Sequence, residues 1–113
     1  MDKEEILNVL KNLKKELRDQ YKIIELGLFG SFAKNEQKKD SDIDLLVDFE
    51  ENADLLDLIG ASIFLEEKLN HKVDLVSKNA IREELRKNIL EKVIYAWRTL
   101  SFLLKISLKQ WIK

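Results

Sequence analysis

Gly30-Ser31 and three aspartates are the residues of this chain best suited to chemistry. The pair follows the apolar run IIELGLF, and after a spacer of ten residues, Phe32 to Ser41, comes Asp42-Ile43-Asp44. Asp42 and Asp44 stand two apart at the start of an alternating segment, so both carboxylates face one side. Carboxylates held together repel by several kcal/mol at low effective dielectric, and a cation is the usual counterweight. Oxygen donors with no His or Cys among them favour Mg²⁺. Asp74 lies between Val73 and Leu75 in KVDLV, where a charge also needs a partner. If the 43–49 and 72–76 segments are neighbouring strands, three aspartates converge, which suits two-metal in-line phosphoryl transfer.

Gly30 lets the backbone approach a ligand closely. Ser31 adds a hydroxyl and a backbone N–H at a helix start, an anion-binding feature. Lys34, Lys38 and Lys39 offer charge to a triphosphate. Each feature has a plainer reading. Gly-Ser is commonly a turn, Asp-Ile-Asp a solvated edge, and Lys38-Lys39 an exposed loop. Asp74 could pair with Lys72 or Arg82, and Asp48 and Glu50 show that not every acid nearby need be a ligand. The order and spacing of the set favour chemistry.

The elements that must position these residues are legible from periodicity. Ile6, Leu10, Leu13 and Leu17 predict an amphipathic helix over 3–20. Residues 23–29 read as a buried strand, 34–41 as a loop, 43–49 as an alternating strand and 72–76 as a short strand. Leu55, Leu56, Ile59 and Ile63 place a helix over 54–69. A further helix is predicted over 79–95, with Asn79 as N-cap and Glu83 and Glu84 in its first turn. The fold class is α/β: a short mixed sheet with helices on one face.

The last stretch differs. Trp97, Leu100, Leu104, Leu108 and Trp111 fall at helical spacing, and no acid follows Glu91. This predicts a basic amphipathic helical tail over 97–113 that kinks near residues 98–101 or projects. Its apolar stripe needs a cover. Folding back is one solution. A second copy of the chain, giving a homo-oligomer, or an acidic partner is the expectation.

Composition narrows the function. At 113 residues and 13.3 kDa, the chain is one domain by size. A net charge of -1 disfavours a globally basic nucleic-acid binder. With no Cys, disulfides and thiolate metal sites are excluded. A single histidine, His71, excludes a two-histidine metal site. No apolar run approaches the ~20 residues of a membrane span. The start MDKEEILNVL is acidic, unlike a signal peptide, so a cytoplasmic protein with no membrane attachment is expected.

LFGSFAKNEQKKDSDIDLLVDF resembles the signature of the polymerase-β-type nucleotidyltransferase superfamily: Gly-Ser, a ten-residue spacer, Asp-x-Asp, and a third Asp on a later strand. The short length and the ending KVDLV…IREELRKNILEKVIYA are similar to the minimal nucleotidyltransferases, the MNT proteins, which are antitoxin partners of HEPN-domain toxins. The resemblance covers about residues 3–96, implying a nucleotidyltransferase domain over 1–96, and the 97–113 tail has no counterpart in it. It implies that Gly30 and Ser31, with Lys34, hold the nucleotide phosphates and that Asp42 and Asp44 bind Mg²⁺, with two ions expected. Asp74 would complete the metal site and serve as general base. The implied reaction moves AMP from ATP to a protein hydroxyl, a tyrosine of a HEPN toxin, in a type VII toxin–antitoxin system.

The family often has Ala-Arg-Gly where this chain has Ala33-Lys34-Asn35. Lys34 keeps the charge but loses the bidentate fork. Asn35 tolerates positive φ, so the turn can survive. A small-molecule or nucleic-acid acceptor is a rival, disfavoured because no substrate domain is evident. A non-catalytic toxin-binding module is another, disfavoured because a pure binder has no use for three clustered carboxylates.

Overall fold

The computed structural model describes residues 1–98. In chain order these form α1 (Lys3–Asn12), α2 (Lys14–Tyr21), β1 (Ile23–Phe29), a one-turn helix α3 (Gly30–Ala33), β2 (Ile43–Phe49), α4 (Leu55–Leu69), β3 (Val73–Ser77), a 3₁₀ turn (Lys78–Ala80), α5 (Glu83–Lys92) and β4 (Ile94–Arg98). The sheet order is β3-β2-β1-β4. β2 and β3 run parallel, and β1 is antiparallel to both of its neighbours. The expected α/β class with a mixed sheet is what the chain adopts.

Period-two alternation sorts β2 into two faces. Ile43, Leu45 and Val47 enter a core with Ile6 and Leu10 of α1, Leu17 of α2, and Ala61 and Leu65 of α4. Asp44, Leu46 and Asp48 point to the other face. Caps set the helix starts. Asp2 accepts from the Glu5 N–H at 2.9 Å, and Asp54 and Asp57 form a capping box on α4. α2 and α4 approach closely at Gly60, where a Cβ would lie 2.8 Å from Tyr21 Cε1.

Three expectations need correction. The helix over 3–20 is two helices, because Leu13 leaves helical geometry (φ -93°, ψ 3°) between α1 and α2. The helix over 79–95 is a 3₁₀ turn followed by a ten-residue helix; Asn79 lies in the turn, and Arg82 occupies the N-cap position without a side-chain cap. Glu83 and Glu84 are in the first turn as expected.

The third correction is the largest. Residues 94–98 are a strand, so Trp97 and Arg98 belong to the sheet and not to a helical tail. β1 is buried at six successive positions, Ile23 to Leu28. A strand buried on both faces needs a partner along each edge. β2 supplies one and β4 the other. Val93 turns extended (ψ 140°), and β-branched and aromatic residues carry the chain into the sheet. Trp97 is buried, and its indole N–H donates to the Leu10 carbonyl at 3.3 Å. The rest of the expected tail, with Leu100, Leu104, Leu108 and Trp111, lies outside the described residues. Among the described residues no helix is long and apolar enough to cross a membrane.

Candidate active site

β1 delivers the chain to Gly30, which has φ +73°, a left-handed conformation open to glycine and costly for other residues. Space makes the same demand, since a Cβ on Gly30 would collide with Oδ2 of Asp44. α3 then closes with a Schellman arrangement. The Glu36 N–H bonds to the Ser31 carbonyl at 2.9 Å, and the Asn35 N–H bonds to that of Phe32 at 3.3 Å. Asn35 takes φ 58°, so the turn survives without the glycine, as its tolerance of positive φ suggested. Ser31 sits half-buried in the first turn of α3, and no side chain caps that turn.

The spacer returns the chain to the same place. Ser41 accepts from the Lys38 N–H at 2.8 Å, and Nε2 of His71 lies 2.6 Å from the Ser41 carbonyl. The His71 ring meets Phe32 edge-on at 5.5 Å, tying α3, the end of the spacer and the start of β3 together. Asp42 follows in the loop, exposed, and Asp44 is the second residue of β2, half-buried.

Register decides the rest. Asp44 pairs with Phe29 on one side and Asp74 on the other. Asp44 and Asp74 therefore lie side by side on neighbouring strands, with Gly30, just past the end of β1, against Asp44. Burial pushes the Asp44 carboxyl above its ordinary value, and the charges of Asp74 and Asp42 push it further. Among the described residues no lysine or arginine forms an ion pair with any of the three aspartates, Lys72 and Arg82 included. Nor do three acidic or imidazole side chains among those residues close a cation site by themselves. The group is an open, unneutralised set of oxygen donors. It suits a hard divalent cation whose remaining positions are filled by water and substrate phosphate oxygens.

Lys34 lines a small hollow of about 90 Å³ with Phe29, Gly30, Asn88, Ile89 and Lys92. Lys38 and Lys39 instead line a separate hollow with Phe32 and His71.

A family model described as a nucleotidyltransferase domain matches residues 10–96. The chain belongs to the nucleotidyltransferase family. The protein adenylyltransferase MntA of Thermococcus cleftensis is 45% identical over 92 residues, covering 81% of this chain and 93% of its own length. A solved structure of a candidate minimal nucleotidyltransferase superposes with a TM-score of 0.72 at 36% identity, over 83% of this chain and 95% of the other. A toxin–antitoxin crystal structure with AMP-PNP gives a TM-score of 0.65 at 25% identity, over 90% of this chain and 88% of the other.

Two structural supports of this nucleotidyltransferase escape the sequence. His71 attracts notice there only as the lone histidine, and its bond to Ser41 spans thirty residues. Glu25 hides inside an apolar run. It is 1% exposed and holds Lys78 Nζ at 3.0 Å and Arg98 Nε at 2.8 Å. A single acid amid IIELGLF is a legible signal that a cation must come from elsewhere, but its partners lie 53 and 73 residues away.

Proposed function

We propose that this nucleotidyltransferase transfers AMP from ATP to a protein hydroxyl, a tyrosine of a HEPN-type toxin, and acts as the antitoxin of that pair. The observation that carries the reading is the pairing of Asp44 with Asp74 beside Gly30, with no cation among the described residues bonded to either. The protein adenylyltransferase name of the 45% identical relative and the toxin–antitoxin structure with AMP-PNP support the donor and the acceptor class. A small-molecule or nucleic-acid acceptor has no observation in its favour.

In this reading Asp42, Asp44 and Asp74 hold Mg²⁺, with two ions at full occupancy. Bound Mg²⁺ supplies charge stabilisation to the phosphate oxygens. Gly30 admits the triphosphate without a side chain in its path, Ser31 donates to a phosphate oxygen, and Lys34 adds positive charge from the neighbouring hollow. Asp74 is exposed and takes the proton of the incoming hydroxyl. The hydroxyl oxygen bonds to the α-phosphorus, the bond from that phosphorus to the bridging oxygen breaks, and pyrophosphate leaves.

Incubation with ATP, Mg²⁺ and a HEPN toxin from the same genome, followed by intact-mass measurement, is the test. An AMP adduct on a toxin tyrosine is expected. An unmodified toxin, with AMP transferred to some other acceptor as pyrophosphate is released, would overturn the reading. Asp74→Asn is expected to cut turnover strongly and ATP affinity little. Ser31→Ala is expected to weaken ATP binding about ten-fold, from a hydrogen bond to a charged group of about 1–2 kcal/mol.

A further inference from the structure

Helix α4 turns the wrong residues outward. Ala61, Leu65 and Leu69 are its buried positions, whereas Leu55, Leu56, Ile59 and Ile63 are 67%, 76%, 46% and 61% exposed. Spacings of three and four place them on one face, as a stripe about 12 Å long. The only other large exposed apolar residues among those described are Met1 and Leu85. Contiguous apolar surface of this kind marks an interaction site.

The stripe opens into a groove of about 320 Å³ between α4 and β3, lined by Leu58, Ile59, Ile63, Val73, Asp74 and Leu75. Among the described residues β3 is an edge strand, hydrogen-bonded only to β2. An occupant of the groove thus lies along the edge strand that carries Asp74, whose carboxylate is reached around that edge. Glu66, which accepts from the Val73 N–H, its neighbour Glu67 on α4, and Asp74 in the lining give it acidic surroundings.

We propose that this stripe and groove seat the acceptor protein, which presents an apolar helix face flanked by basic residues and places its hydroxyl against Asp74. The proposal rests on the adenylylation reading and adds the docking surface. A second copy seated here would cover Asp74. The 99–113 segment starts from β4, at the opposite edge of the sheet.

Ile59→Glu with Ile63→Glu tests it in the full chain, and both positions are exposed, so the melting temperature should hold. Calorimetric titration of a HEPN toxin from the same genome is expected to show at least a ten-fold rise in the toxin Kd, with the ATP Kd unchanged. Equal toxin affinity for wild type and variant, or no binding to either, overturns the proposal even where AMP transfer occurs. So does a wild-type dimer in sedimentation that the variant dissociates, which assigns the stripe to self-association. A chain ending at Arg98 that binds toxin more tightly than the full chain assigns it to the tail and also overturns it. Stripe-dependent toxin binding without any AMP adduct would sink the adenylylation reading and leave the docking surface standing.

Discussion

Glu25 and Asp44 point to the same face of the sheet, near opposite ends of the β1–β2 pair, and among the described residues only Glu25 is matched by cations. Glu25 faces Asp48 across the ladder, and Lys78 and Arg98 close on its two oxygens. Arg98 also stacks on Tyr95 at 4.3 Å, and its guanidinium is held above its ordinary pKa by the hydrogen bond to Glu25. Asp44 faces Asp74, with Asp42 nearby and no ion pair among the described residues. A fold able to neutralise one acidic group with two cations leaves the other bare. Structural carboxylates are paired within the chain; carboxylates that must accept a ligand are left for the ligand to pair.

The sharpest way to break this comparison is to remove each group in turn. Asp42→Asn with Asp44→Asn should lower AMP transfer by about 10³-fold or more, since charge stabilisation of the reacting phosphate is lost. Its melting temperature should stay the same or rise. A double variant that transfers AMP at the wild-type rate would show that the bare group is only a solvated edge.

Glu25→Ala should do the reverse. Breaking a buried pair costs about 3–5 kcal/mol when the orphaned partner stays buried. Here Lys78 and Arg98 are 21% and 55% exposed and can reach water, so a loss of about 2–3 kcal/mol is expected in urea unfolding. ATP affinity of the folded fraction should be preserved. Lost affinity with unchanged stability would reverse the assignment of the two groups.

Gly30→Ala probes the boundary between stability and function. The positive φ costs a side chain about 1–2 kcal/mol, but the colliding atom is the far end of the Asp44 side chain, which can swing away. Turnover should therefore fall further than stability, by more than ten-fold. Equal losses would mean that the strain is carried by the backbone and that Asp44 is undisturbed.

The smallest effect expected is the pH dependence of Asp44→Asn. The unfolded Asp44 carboxyl titrates near 3.8, and the folded one titrates higher. Ionisation therefore favours the unfolded chain. This stability is present below pH 3.8, is lost as pH rises through the folded pKa, and stays lost at neutral pH. Without divalent cations, the variant should melt above wild type at neutral pH, and the difference should vanish well below pH 3.8. Parallel melting curves across that range would deny that Asp44 carries the charge burden.

Much of the site was legible because its residues are close in sequence. Gly30-Ser31 and Asp42-x-Asp44 sit at the two ends of one spacer, and Asp74 stands out as a charge between apolar strand residues. The role of Asn35 followed from its tolerance of positive φ. The pairing of Asp44 with Asp74 was conditional on two strands being neighbours, and only the parallel β2–β3 ladder met that condition.

The sequence misled where local pattern and long-range need diverge. Residues 94–98 continue a helical spacing, yet they become β4 because the open edge of β1, some seventy residues upstream, requires a partner. Trp97, within β4, is held in the core by its hydrogen bond to the Leu10 carbonyl. On α4, the apolar residues at helical spacing announced the helix correctly but not which face the core would take.

By itself, then, the sequence determined the period-two and period-3.6 segments, the Gly-Ser to Asp-x-Asp spacing and the α/β class, since these rest on backbone geometry and neighbours a few residues apart. Tertiary structure alone decided which edge β4 fills, which face of α4 stays outside, and which carboxylates receive cations. Each of those outcomes depends on contacts between segments far apart in the chain, where burial and charge pairing outweigh local propensity.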